Sequence, residues 1–179
     1  MKGKNINFRL AETSDAEFIF NLRKEKGQHL SKVESLEAQV EWFSEYKLRE
    51  GLEEFYFIIE RKGESIGTVR LYDFKDDSFS WGSWIIKDGV PLMTAIESAL
   101  MVYDFAFECG FKKSHFCVRK ENKKVIKFHQ DFRASVVGET EKDFLFSFSK
   151  EDYQKTRNRF KSLVFPVPVF IPEMKVFEY

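Results

Sequence analysis

Between Ser78 and Gly138 a strand, a long helix and a second strand follow one another with short connections, and few topologies accommodate that order. Ser78-Phe-Ser-Trp-Gly-Ser-Trp-Ile-Ile86 has strand composition, Leu92 to Glu108 reads as one apolar helix, and Ser114-His-Phe-Cys-Val-Arg119 is again a strand. Two strands joined by a helical crossover run parallel or splay apart, and a crevice opens at their carboxyl ends. A short helix follows at once in Glu121-Asn-Lys-Lys-Val-Ile-Lys-Phe-His-Gln130.

The flanks complete a mixed sheet. Asn5 to Ala11 reads as a first strand, and Ser14-Asp-Ala-Glu17 as a capping box that opens a helix to about Lys24. Lys26 to Lys32 reads as a loop, and Ser35 to Glu50 as a helix with Leu36, Val40 and Phe43 on one face. Glu54 to Arg61 and Ser65 to Asp73 are strands joined by a Lys62-Gly63-Glu64 hairpin turn, and Asp76-Asp77 turns into the Ser78 strand. Ala134 to Thr140 and Asp143 to Ser149 form a closing hairpin, with a last helix from Ser149 to about Lys161. Beyond it, Leu-Val-Phe-Pro-Val-Pro-Val-Phe-Ile-Pro can be neither helix nor central strand. An extended apolar tail over 162–179 therefore follows a domain over 1–161, and Val164 to Ile171 is expected to cover the sheet edge or seal a homodimer.

The chain's 179 residues suit one domain, and its 29 basic and 29 acidic residues leave no electrostatic footprint for nucleic acid or an anionic membrane. A local basic groove for an anionic cofactor needs only a few cations. Cys109 and Cys117 have neither CxxC spacing nor a histidine cluster, so reduced thiols and no metal site are expected. Without a signal-peptide run or a membrane-spanning segment, the expectation is a soluble cytoplasmic protein.

The order β-α-α-β-β-β-α-β-α-β-β, with Trp84-Ile85-Ile86, the Leu92 to Glu108 helix and Asn122 to His129, resembles the GNAT family of CoA-dependent N-acyltransferases over about Asn5 to Ser149. The resemblance implies an α+β fold whose mostly antiparallel sheet contains a splayed parallel pair. It further implies acyl-CoA as cosubstrate, its pantetheine arm pairing with Trp84, Ile85 and Ile86. Gly82, between two tryptophans, marks a bulge or a close approach. The family's glycine-rich phosphate loop is replaced by Lys87-Asp-Gly-Val-Pro-Leu-Met-Thr-Ala-Ile96, which leaves Lys87 and the helix start near Thr94 and Ala95 for the phosphates. Asn122 matches an asparagine that contacts the cofactor's arm, and reads equally as a helix cap.

For the chemistry, the resemblance puts His129 where the family has a tyrosine that protonates the departing thiolate, and Ser80 where a glutamate base is frequent. Serine is no base. An amine resembling an α-amino group, with pKa near 8, is about a tenth neutral at pH 7, a handicap of roughly 1.4 kcal/mol, against about 4.6 for a lysine. A site without a strong base suits an amino sugar or a protein amino terminus. Arg23, Lys24 and Lys26 are candidates for meeting an acceptor's diphosphate, His29 comes with Glu25 from the loop over the acceptor cleft, and Trp42, Trp81 and Phe74 are candidates for stacking on its base or sugar. The leading expectation is acyl transfer, acetyl or small hydroxyacyl, to a nucleotide-linked dideoxy amino sugar of O-antigen or capsule assembly. The alternatives are a ribosomal-protein-type amino-terminal acetyltransferase and a non-catalytic CoA-binding module.

Overall fold

The computed structural model describes residues 1–26 and 34–170. In chain order these form β1 (Asn7–Leu10), α1 (Ala16–Lys26), α2 (Leu36–Arg49), β2 (Phe55–Arg61), β3 (Glu64–Lys75), β4 (Ser78–Ile86), α3 (Leu92–Glu108), β5 (Lys113–Arg119), α4 (Lys123–Asp131), β6 (Ser135–Glu139), β7 (Asp143–Ser149) and α5 (Lys150–Arg159). One seven-stranded sheet runs β1-β2-β3-β4-β5-β7-β6, antiparallel throughout except at β4–β5.

Local signals account for most element ends. The hydroxyls of Ser35 and Ser149 accept the N–H groups of Ala38 and Asp152, capping α2 and α5. Lys62 and Gly63 both have positive φ, 53° and 82°, as a two-residue hairpin turn between twisted strands requires. The first cap lies elsewhere than expected. Glu12 and Asp15 cap each other around a short 3-10 turn at Thr13–Asp15, and α1 begins only at Ala16. Asp15 is preferred to Ser14 because its carboxylate also receives the fork of Arg9, at 2.6 and 2.7 Å. Lys26 ends α1 rather than opening a loop, and the rest of the expected loop, His29 included, lies outside the described residues.

The Phe55-Tyr-Phe-Ile-Ile59 run of β2 does not alternate with polar residues because both of its faces are covered. Phe55, Phe57 and Ile59 join the large core around α3, while Tyr56 and Ile58 join a smaller one under α1 and α2. Every residue of α3 from Glu97 to Phe107 is buried, so this helix is enclosed all round. Glu97 is tolerated there because Asn5 supplies its backbone N–H at 2.9 Å and its side-chain amide at 2.8 Å.

The described part of the apolar tail lies on its own domain. Val164 is only 4 % exposed within the large core, Val169 accepts a hydrogen bond from the Lys2 N–H at 2.7 Å, and the Phe170 ring centroid is 6.0 Å from that of Phe105. Lys2 also bridges Asn7 of β1, so it ties Val169 of the tail to the first edge strand, while Val167 stays 72 % exposed. Among the described residues no helix is long and apolar enough to cross a membrane.

Candidate active site

β4 and β5 are hydrogen-bonded neighbours only at Ser78–Lys113 and Phe79–Ser114. Beyond Phe79 they part, and among the described residues the β5-facing edge of β4 has no strand partner. Three rings fill the root of the resulting notch. Trp81 of β4 and Phe116 of β5 lie 5.4 and 4.3 Å, centroid to centroid, from the imidazole of His129 on α4.

Halfway along its length β4 carries an extra residue. Arg70 of β3 pairs with Gly82, but Thr68 pairs with Ile85, so Ser83 and Trp84 together oppose Val69. Ser83 holds φ at 47°, and its carbonyl accepts the Thr68 hydroxyl at 2.8 Å. The bulge that Gly82 signalled therefore falls one residue later. Gly82 answers to a close approach instead, since a Cβ there would stand 3.0 Å from the Tyr72 hydroxyl.

A cavity of about 410 Å³ occupies the notch and is walled from both faces of the sheet. The helix-side wall is apolar and aromatic, made by Trp81, Trp84, Phe116, Val118, Val125 and His129. The far wall is polar, made by Arg70, Tyr72, Ser83, Cys117, Arg119 and Asp143. Arg119 and Asp143 face each other at 3.4 Å. Beside the start of α3 lies a second groove of about 610 Å³. Leu92, Ile96, Phe128 and Phe160 line it, and Lys123, Lys124, Lys127 and Arg159 edge it with cations. Among the described residues no side chain caps the amino terminus of α3, so the N–H groups of Leu92 and Met93 face no capping side chain and suit an anion, while that of Thr94 goes to the Pro91 carbonyl.

The residues singled out from sequence divide by place. Trp84 lines the notch and donates its indole N–H to Ser98 at 3.0 Å, while Ile85 and Ile86 follow on the same unpartnered edge. Asn122 lines the notch and also caps α4, its side chain accepting the Val125 N–H at 3.4 Å. The cap reading holds. The Lys87 backbone N–H goes to Ile66, and its ammonium lies 5.0 Å from the Phe18 ring centre. Thr94 is buried with its N–H on the Pro91 carbonyl, and the Ala95 carbonyl accepts the Ser98 hydroxyl. Trp81 lines the notch but is anchored in the core by its indole N–H on the Tyr103 hydroxyl, 2.9 Å away. Arg23 reaches the Ser83 hydroxyl at 3.5 Å, and Lys26 is paired with Asp88.

Ser80 and Phe74 are among the expected residues that do not line the notch. Ser80 is 6 % exposed, one residue past the last β4–β5 pair, where the strands have barely parted. Phe74 turns into the core against Phe111 and Phe55 at 5.0 and 6.1 Å. The cause is a second inserted residue. Asp73, with φ 54°, and Phe74 together oppose Phe79, which reverses the alternation of β3 beyond Tyr72.

His129 is in place, but its chemistry differs from the sequence expectation. Burial pushes the imidazole down to about 3, and Nδ1 has no hydrogen-bond partner among the described residues. The ring is neutral at physiological pH, so any help to a departing thiolate is donation from a neutral N–H, not from an imidazolium. Arg70, Tyr72 and Ser83 were not singled out from the sequence. Their signal is one of register: each lies within two residues of the Arg70–Gly82 pair, which only the folded sheet reveals. Among the described residues no three His, Cys, Asp or Glu side chains gather to hold a metal ion.

A family model for the acetyltransferase (GNAT) domain matches residues 5–134. The apo structure of FdhC, described as a nucleotide-linked sugar GNAT, is 39% identical, with a TM-score of 0.84, over 92% of this chain and 98% of that one. Spermidine N-acetyltransferase from Vibrio cholerae, in complex with CoA and spermine, is 20% identical, with a TM-score of 0.70, over 84% of this chain and 98% of that one. A search of curated proteins found no match.

Proposed function

The chain belongs to the acetyltransferase (GNAT) family of CoA-dependent N-acetyltransferases, and from that premise we propose that its acceptor is the amine of a nucleotide-linked amino sugar. Acetyl-CoA, the family's cosubstrate, supplies an activated acyl group. The residues present fit it. The free edge of β4 from Trp84 to Ile86 offers backbone groups to the pantetheine arm as an added strand would use them. The uncapped start of α3 and the cations Lys123, Lys124 and Lys127 suit its phosphates. Trp84 and Phe128, 4.9 Å apart, shield the arm from water, and Asn122 stands at the notch to orient it.

The observation that carries the acceptor assignment is the far wall, with Arg70 and Arg119 as its cations and Asp143, already paired with Arg119, as its carboxylate. A polyamine needs unpaired carboxylates, and this wall has the opposite character. A lysine ammonium would need a base strong enough to remove its proton, which the described wall lacks. An amine beside electronegative sugar carbons is already partly neutral, and its proton can leave through water. The 39% identity to a nucleotide-linked sugar GNAT supports the same acceptor. In this reading an acetyl or small hydroxyacyl group is added in the cytoplasm to a sugar destined for a surface polysaccharide.

Incubation with acetyl-CoA and a panel of thymidine- and uridine-linked amino sugars should release free thiol with at least one of them. Release only with peptide amino termini, or none with any sugar, overturns the assignment.

A further inference from the structure

The far wall contains a guanidinium held more firmly than an exposed arginine would be. Arg70 lies between two aromatic faces, its Cζ 5.2 Å from the centre of Trp42 on α2 and 5.0 Å from that of Tyr72. Its Nε donates to Glu54, which is 2 % exposed. Glu54 also receives Arg49 at 2.8 Å, whose other carboxylate neighbour, Glu45, is exposed and 3.9 Å away. One buried carboxylate thus serves two guanidiniums and neutralises Arg70 only in part. No partner of the two Nη groups of Arg70 is found among the described residues, although the side chain lines the notch. The two ring contacts and the Nε bond hold the fork before anything binds, so less entropy is lost when its remaining donors are used.

Its position decides what those donors meet. Arg70 pairs across the strands with Gly82, and the bulge at Ser83 and Trp84 begins at the next residue. Gly82 interposes no side chain between Arg70 and the notch. We infer that the Nη fork of Arg70 receives the sugar-proximal phosphate of the acceptor and so sets which ring amine reaches the β4 bulge. This inference rests on the sugar-nucleotide reading and adds to it the residue that reads the phosphate. In a nucleotide-linked sugar that phosphate is bonded to the anomeric oxygen, so it and the amine sit on one pyranose ring. A planar fork matches phosphate oxygens two at a time, which a lysine cannot do.

The test compares wild type, Arg70→Gln and Arg70→Lys. Loss of a charge-assisted fork should raise the KM for a thymidine diphosphate amino sugar, and the inhibition constant of thymidine diphosphate, about 10- to 100-fold in Arg70→Gln. The KM for acetyl-CoA should stay within about twofold, since that ligand uses the other wall. Arg70→Lys, keeping the charge but not the fork, should fall between. CoA binding by calorimetry confirms that each variant is folded, and Arg49 remains to pair Glu54. An acceptor KM within about threefold of wild type in a folded Arg70→Gln overturns the inference. If that variant is insoluble, Arg70→Lys decides by the same criterion. If wild type turns over no sugar nucleotide, the functional reading fails by itself. Thymidine diphosphate binding to wild type and variant, measured without turnover, then still tests Arg70, and equal affinities overturn its role.

Discussion

The two walls of the notch are built on opposite principles. The helix-side wall is a fragment of the protein core turned outward, in which Trp81, Phe116 and His129 pack ring against ring. Its polar atoms are either bonded inward, as in the indoles of Trp81 and Trp84, or without a partner among the described residues, as in His129 Nδ1. The far wall uses charge held in place by other charge and by π faces, with Glu54, Arg49 and Trp42 fixing Arg70. The first arrangement lowers the local dielectric around whatever lies against it, and the second presents directed donors. A transferase needs both, because the thioester must be kept dry while a hydrophilic acceptor must be gripped.

If the helix-side wall is truly core, cutting it should cost core-sized energies. Trp81→Ala, which removes a large buried ring and orphans the Tyr103 hydroxyl, should lower unfolding free energy by about 3–5 kcal/mol in a denaturant titration. A loss under about 1 kcal/mol would mean that this wall is not structural. His129 gives a smaller effect that depends on pH. Its folded value, near 3, lies below the ordinary 6.5, so the unfolded chain binds more protons between those limits. Stability should therefore fall as pH drops below about 6.5, by up to roughly 2 kcal/mol at pH 5. In His129→Phe that slope should be shallower, as read by denaturation at pH 7 and pH 5. An unchanged slope would place the proton-sensitive group elsewhere. On the side of the far wall, the Lys26–Asp88 pair marks the lower limit, because the Asp88 side chain is 84% exposed. Asp88→Ala should leave the melting temperature unchanged within scatter, and a clear drop would show that the end of α1 is clamped there.

The same contrast explains what could be read before the fold was known. The helix-side wall follows from neighbours in sequence. The aromatic spacing of β4, the apolar α3 and the Asn122–His129 interval sit within one continuous stretch, and local periodicity carries them. The far wall and its support join Trp42, Arg70 and Gly82 from three elements with Glu54 from just before β2, and no local pattern links an arginine in β3 to a tryptophan in α2. Phe74 and Ser80 were misassigned for a related reason. Strict alternation along β3 puts Phe74 beside Tyr72, and only the left-handed Asp73, which no glycine announces, sends it to the core. Ser80 needed the point where β4 leaves β5, a matter of pairing rather than composition. The protonation state of His129 needed its burial, which follows from Phe116 and Phe146 in other strands.

The bulge in β4 has one more effect. Before Ser83 the odd-numbered side chains, Phe79 and Trp81, point toward α3, whereas after it the even-numbered Trp84 and Ile86 do. Two tryptophans three positions apart consequently stand on one side, with ring centroids 5.4 Å apart, where an unbroken strand would set them back to back. If the bulge were ironed out with every residue kept, Ser83 alone would oppose Val69, and Trp84 would exchange faces with Ile85, putting an indole on the polar wall. The inserted residue of β4 is thus a parity condition on the enzyme, as binding as the identity of any one of its side chains.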